Sequence, residues 1–345
     1  MELTYRTRRK LKRGFLIGLC VFLTAALIWG CWLTWVERYV VYTRDGAVID
    51  FTLADRDPGE GTLAEPPAQK ETVSIYYNDG SDAVGLDIVL RQMQGYYITT
   101  DMLAGDLDTI RAAVAALPVG STVMLELKNI KGNFYYPTQI ANAPLATNVD
   151  PAEVDDLIED LASRNLYLVA SVPAFRDRYY GLHNTTIGLP FIGGNGALWV
   201  DDSNCYWLDP AKSRTVDYLA KIATELRQKG FQEVLFTDFR FPETDQLDYT
   251  GDRVAAIQKA AETLVKDCAT NRFAVSFLAT GSTIQPVDGR SRLYVTGVNG
   301  EQAAAVANNY ELDNPAIELV FLTDSHDTRY DAFGVLHPLT EIITQ

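Results

Sequence analysis

Cysteine and histidine are scarce in this 345-residue chain: there are four Cys and three His, and no two of them stand at a spacing that suits zinc. Cys20 and Cys31 lie in the apolar N-terminal stretch. Cys205 and Cys268 lie far apart in the rest, where they either bridge or remain two buried thiols. A glycine-rich phosphate loop is also missing after the first strand, which disfavours a nucleotide-binding fold. Positive charge is short as well. The chain has 30 Lys and Arg against 45 Asp and Glu, a formal net of −15. Six of the basic residues, Arg6, Arg8, Arg9, Lys10, Lys12 and Arg13, crowd into the first thirteen positions with Glu2 as their single acid, so the remainder holds 24 basic and 44 acidic residues and a net of −20. An acidic body of this kind disfavours nucleic acid and anionic lipid as partners and suits a neutral or cationic ligand. No metal or other cofactor is implied.

Long apolar runs are absent but for one. "GFLIGLCVFLTAALIWGCWLTWV", Gly14 to Val36, carries no charge and is long enough to cross about 30 Å of hydrocarbon as a helix. The basic head before it and Trp29, Trp32 and Trp35 near its end place the N-terminus in the cytoplasm and everything after Glu37 outside. A cleaved signal peptide is the rival reading; it is disfavoured because the run ends in bulky Trp and Val rather than a small-x-small site. The expected order is a cytoplasmic head (1–13), a transmembrane helix (14–36), a hairpin and linker (37–72) and a globular domain (73–345). "YVVYTRDGAVIDF" alternates around Asp45-Gly46 and reads as a β-hairpin, and the acid-, Pro- and Gly-rich stretch from Thr52 to Thr72 reads as a solvated linker.

With 47% hydrophobic residues the domain can hold one large core. From Gly95 onward, short apolar runs alternate with amphipathic ones. The strands expected are "GYYITT", "TVMLELK", "LYLVASV", "EVLFTDF", "FAVSFLA", "RLYVTGV", "AIELVFLT" and "FGVL". Between them, Leu107, Ile110, Val114 and Leu117 fall at helical spacing, Asp150-Pro151-Glu153 opens a second helix, and Asp209-Pro210 is read as starting a third that runs to Gly230. A fourth passes through Val254, Ile257, Leu264 and Val265. About eight strand-helix units in roughly 250 residues suggest a (β/α)₈ TIM barrel.

Function in such a barrel gathers at the C-terminal ends of its strands. Those ends supply Glu126 and Lys128 after the second strand, Arg176 and Asp177 after the third, Asp238 and Arg240 after the fourth, and Asp324, His326 and Asp327 after the seventh. Strand alternation places Phe236, Asp238 and Arg240 on one face and Leu235, Thr237 and Phe239 on the other, with Asp238 held ionised by Arg240. The third loop, Arg176 to Trp207, is rich in the Tyr, Trp, Asn and Gly that meet sugar rings. Each residue has a plainer reading too: an ion pair for Asp238 with Arg240 or for Glu126 with Lys128 or Arg176, a helix N-cap for Asp209, a turn former for Asp177, a loop contact for His326.

From Gly95 to Asp245 the chain resembles a family of glycoside-hydrolase-like TIM-barrel proteins of bacteria. "ELKNIKGNFYYP" is similar to the family's Asp-x-Lys-Asp motif with its following Gly and Tyr-Pro, through Glu126, Lys128, Asn129, Gly132, Tyr136 and Pro137. Phe175, Arg176 and Asp177 match a Phe-Lys-Asp; Trp207, Asp209 and Pro210 match a Trp-x-Asp-Pro. "FTDFRFP" resembles Phe-Asp-Tyr-Ile-Arg-Phe-Pro, with Arg240, Phe241 and Pro242 in register. The family's acid falls three residues before its arginine, where this chain has Thr237, and Asp238 stands one position later. "FLTDSHDTRY" is similar to the seventh-strand His-Asp motif of the α-amylase superfamily, whose fifth-strand acid has no counterpart in "FAVSFLATGS". The resemblance implies a polysaccharide or oligosaccharide ligand; glycoside hydrolysis needs two carboxyl groups, for which Asp238 is the candidate nucleophile or base and Glu126, or else Asp327, its partner, and Lys128, Arg176, Asp177, Trp207, Arg240, His326 and Asp327 are read as ligand-binding groups. It leaves open a membrane-tethered hydrolase and, on the same barrel, a catalytically inactive glycan-binding or envelope-assembly module.

The topology has a direct check. Protease added to intact cells is expected to remove everything beyond the linker, and protection of the C-terminal domain would overturn the outside orientation.

Overall fold

The computed structural model describes residues 90–280 and 284–343, the strand pair β1 (Val40–Thr43) and β2 (Gly46–Ile49), and a few helical positions between 24 and 32. The chain divides into two units, Met1–Ser81 and Asp82–Gln345. In the first, β1 and β2 pair antiparallel with Val40 opposite Ile49 and Thr43 opposite Gly46, the hairpin its alternating pattern predicts. The expected membrane span at 14–36 and the linker at 52–72 lie largely outside the described residues. Among the described residues no helix is long and apolar enough to cross a membrane.

The second unit is a closed barrel of eight parallel strands: β3 (Gln94–Ile98), β4 (Thr122–Glu126), β5 (Tyr167–Pro173), β6 (Glu233–Thr237), β7 (Ala274–Leu278), β8 (Leu293–Thr296), β9 (Leu319–Leu322) and β10 (Gly334–Pro338), which closes onto β3. All eight expected strands are present. The helices between the early strands follow the apolar period: Leu107–Ala115 buries Leu107, Ile110 and Val114, and Pro151–Ser163 starts behind Asp150, whose carboxylate accepts from the Ala152 N–H at 2.9 Å. Three expectations change. The helix placed at Asp209-Pro210 begins at Ser213, and Asp209 instead closes a turn by accepting from the Ala211 N–H. Val254, read with the apolar positions of the fourth helix, is exposed on Arg253–Cys268. The fourth barrel strand stops at Thr237, two residues early. The later crossovers are slight: Ala303–Asn309 spans seven residues, and the described residues between β7 and β8 form no helix. Cys205 and Cys268 are both buried free thiols.

The barrel interior is filled by Met93, Met124, Val169, Leu235, Tyr294, Val320 and Leu336, while Val123, Leu125, Val234 and Phe236 face outward to the helices. At Gly95 an added Cβ would stand 1.9 Å from the Thr122 carbonyl oxygen, so only glycine lets β3 lie against β4 there. Beneath this layer, at the N-terminal end of the strands, a buried ionic knot closes the floor. Glu233 pairs with Arg292 and accepts from the phenols of Tyr167 and Tyr294, each at 2.8 Å. Arg292 also donates to the carbonyls of Ile317 and Arg91 at 2.9 Å. Burial, reinforced by the Glu233 charge, pushes both phenols above their ordinary range and keeps them donors.

Every strong acceptor and donor in the knot is used, so removing one partner strands a charge. Arg292→Met is expected to cost about 3–5 kcal/mol, read as a lower urea midpoint, and the double variant Glu233→Gln/Arg292→Met is expected to recover much of it. Equal losses in single and double variants would show that the knot does not act as a unit.

Candidate active site

At the opposite pole the chain turns sharply where β6 ends. Asp238 has φ +47°, a left-handed conformation that β-strand continuation does not allow. The turn drops Phe239, fully buried, between Phe175 and Phe277, with ring centroids 4.5 Å from each. The expected alternation therefore fails at this point. Phe236 and Phe239, three apart, both join the outer core, and Asp238 is freed from the face it would share with Phe236.

The expected pair of Asp238 with Arg240 does not form at contact distance. Arg240 reaches Glu243 at 3.7 Å and the Phe241 carbonyl at 3.3 Å. Arg176 is held by Asp201 at 2.6 Å, and Lys128 by Asp177 at 2.8 Å. Burial pushes the Asp238 carboxyl above the usual range, opposed by the fields of Arg176, Arg240 and Lys128. A carboxyl held this way is poised to gain or lose a proton as its surroundings change.

Trp207 organises the two guanidiniums. Its indole N–H donates to Asp201 at 3.0 Å, the same oxygen that Arg176 takes, and the guanidinium carbons of Arg240 and Arg176 lie 5.3 and 5.8 Å from its ring. The ring is 3% exposed, so it seats the cations rather than offering an open stacking face. Lys128 and Asp177 are wholly out of solvent and shape the rim from beneath. Asp177 also accepts from the Tyr180 N–H at 2.8 Å and the Tyr218 hydroxyl at 2.9 Å, which makes it both an N-cap for the helix Arg178–His183 and half of an ion pair.

Glu126 takes a different partner from those expected. Its carboxylate accepts from the Thr100 N–H at 3.0 Å, at the start of the short helix after β3, and burial raises its proton affinity, with Asp101 adding to the effect. Register sets Glu126 level with Ser171 and, through it, with Leu235, so Asp238 stands two strands away and three residues further along. Both carboxyls bind protons more readily folded than unfolded. Their contribution to stability is therefore present below the unfolded carboxylate range and is lost as pH rises through the raised values.

His326 and Asp327 lie in the loop after β9. The exposed His326 ring lies 4.3 Å from that of His337, and Asp327 is gripped by Arg329 through bonds of 2.6–3.0 Å, which lower its proton affinity. The structure thus gathers Lys128, Arg176, Asp177, Trp207, Asp238 and Arg240 at the ends of β4, β5 and β6, sets Glu126 beside β3, and carries His326 and Asp327 on the loop after β9. Asp201 and Tyr218 were not anticipated. Tyr218 reads as one more apolar position of its helix, and Asp201 sits in a loop without period, so neither carries a local signal of its partner. Among the described residues no group of three or more His, Cys, Asp or Glu could hold a metal ion.

A family model described as "Putative glycosyl hydrolase domain" matches residues 96–275, just over half of the chain. Solved structures similar to the chain include a hypothetical protein from Ruminiclostridium thermocellum (20% identity, 53% of this chain and 96% of that one, TM-score 0.45). An α-galactosidase from Thermus thermophilus matches at 14% identity over 54% of this chain and 38% of its own, with a TM-score of 0.39. An exo-β-N-acetylglucosaminidase from Vibrio harveyi matches at 9% identity over 72% of this chain and half of its own, with a TM-score of 0.46. No curated protein matches the sequence.

The left-handed backbone at Asp238 gives a test that needs no substrate. Asp238→Gly removes the steric cost of the positive φ and the burial of a carboxyl, so it is expected to stabilise the fold by about 1 kcal/mol, read as a higher melting temperature. A loss of stability would show that the carboxylate itself holds the strand end together.

Proposed function

This chain belongs to the glycosyl hydrolase domain family, and on that premise we propose that it is a membrane-anchored protein whose barrel, outside the cell, hydrolyses a cell-envelope or extracellular glycan. The glycoside-hydrolase-like barrel is established by the family match and the closed eight-stranded sheet. The observation that carries the hydrolytic reading is Asp238: a largely desolvated carboxyl in a left-handed conformation, at the C-terminal end of the fourth barrel strand, facing three cations that are each bonded elsewhere. Strained backbone and an unspent charge at this pole are a poor bargain for packing and a good one for chemistry.

In this proposal Asp238 works as the ionised carboxylate once substrate contacts complete its field, and Glu126, with its raised proton affinity, supplies the proton to the leaving oxygen. Their backbones stand two strand spacings apart and three residues out of register, about 14 Å by ordinary sheet geometry. Arg176 and Arg240, fixed on Trp207, present guanidinium N–H groups toward sugar hydroxyls. The uncharged run Gly14–Val36 behind a basic head supports the anchor, and the acidic body supports a glycan over nucleic acid.

A second reading rests on Thr237. It occupies the place where the resembling family carries its acid, and the fifth barrel strand, Ala274–Leu278, ends without a carboxylate. A barrel that binds glycan without cutting it accounts for both.

Asp238→Asn separates the two, because it preserves shape and removes the charge. Under the hydrolase reading, reducing-sugar release from a responsive glycan falls by about 100-fold or more while binding survives, and Arg240→Ala is more damaging than Arg240→Lys. Wild-type protein that binds a glycan from a broad panel and releases no sugar from any of them would establish the binding module instead.

A further inference from the structure

Away from the rim, a cavity of about 560 Å³ opens on the barrel flank between the loop after β4, the helix Arg178–His183 and the helix Ser213–Gln228. Its wall is electrically unlike the rest of the molecule. In a chain of net charge −15, Arg214, Lys221 and His183 line it and no Asp or Glu does. The nearby acids Asp217, Glu225 and Asp267 line an adjoining cavity on the far side of Lys221.

The cavity is built rather than merely open. Tyr180 lies flat on Tyr218, 3.6 Å between ring centroids and 6° between planes, and the Tyr218 hydroxyl is tied to the buried Asp177. Arg214 donates to the Asn184 side-chain oxygen at 2.7 Å and also meets the Tyr180 hydroxyl, and its remaining N–H groups are left for a ligand. The His183 ring packs 4.1 Å from Tyr179, and its Nδ1 is occupied by the Tyr179 carbonyl at 2.8 Å, so Nε2 remains available. Lys221 makes no hydrogen bond or ion pair among the described residues. The loop that forms the opposite wall is fixed from behind, where Glu225 accepts from the Gln139 N–H at 2.7 Å and the Thr138 hydroxyl at 2.8 Å. Gln139 and Asn142 add uncharged hydrogen-bonding groups beside the tyrosines.

We propose that this flank cavity is a second binding site, separate from the rim, for a sugar unit that carries an oxyanion, either a carboxylate or a phosphate. Arg214 and Lys221 take the anion, the His183 ring flanks it, and the tyrosines with Gln139 and Asn142 take the sugar ring and its hydroxyls. The oxyanion half of the assignment rests on the cavity alone. The sugar half rests on the glycan reading above. A site of this kind, on the flank of the same barrel, would hold an acidic polymer while the rim works on it.

Titration calorimetry on the full chain with glucose 6-phosphate, glucuronic acid, glucose and inorganic phosphate tests both halves. The charged sugars are expected to bind about 10-fold or more tightly than glucose, and to weaken as salt is raised. The ratio between them tells phosphate from carboxylate. The double variant Arg214→Ser/Lys221→Ser, at two exposed positions, is expected to lose that preference with its melting temperature unchanged. Asp238→Asn is expected to leave it intact, which keeps this result distinct from any failure of the hydrolase reading. Equal binding of glucose and the charged sugars, retention of the preference in the double variant, or its loss in Asp238→Asn would overturn the site. Inorganic phosphate binding as tightly as glucose 6-phosphate would overturn the sugar half.

Discussion

Lys128 and Asp177, 2.8 Å apart and both sealed from solvent, join the ends of β4 and β5, and the C-terminal pole of the barrel is assembled around them. Two charges in such a place are stable only if their remaining hydrogen-bonding capacity is met. Lys128 donates also to the Pro173 carbonyl at 3.3 Å, and Asp177 accepts from Tyr180 and Tyr218. Meeting these demands draws in the neighbouring elements. The helix Arg178–His183 starts on Asp177, the helix Ser213–Gln228 is pinned through Tyr218, and the loop after β4 closes over the pair at Gly132, where an added Cβ would stand 2.6 Å from the Asp177 carboxylate. Gly132 has φ +91°, so the close approach and the backbone conformation both call for glycine.

The two ends of the barrel treat charge in opposite ways. At the N-terminal end Glu233 and Arg292 are buried with every strong group partnered by Tyr167, Tyr294 or a backbone carbonyl. At the C-terminal end Asp238 is desolvated among cations that are bonded to other acids. The first arrangement leaves nothing for a ligand to improve. The second leaves a carboxyl whose state a ligand can change by completing its surroundings, which is what a reaction site requires.

Net charge says little about either place. The acidic composition points toward neutral or cationic ligands, yet the flank cavity shows Arg214, Lys221 and His183 without a carboxylate. Fields act over roughly 10 Å at moderate salt, so a ligand in a cleft meets the side chains on its wall rather than the average of the surface.

The order of strands and helices was legible in the sequence, because it follows from which residues a few positions apart share an apolar face: Leu107, Ile110 and Val114 on one helix, Val154, Leu157 and Leu161 on the next, Val234 and Phe236 on a strand. Eight such units allow few folds, and a barrel puts the charged residues at its strand ends on one pole. What each charge touches was not legible. Asp238 and Arg240 look paired two residues apart, but the left-handed turn that seats Phe239 between Phe175 and Phe277 parts them. Glu126 looks paired with Lys128, but the Thr100 N–H takes one and Asp177, 49 positions away, takes the other. Periodicity is a property of neighbours along the chain. Partners of buried charges are chosen by barrel closure, which brings together residues far apart in sequence and decides by geometry which of several candidates is near enough to bond.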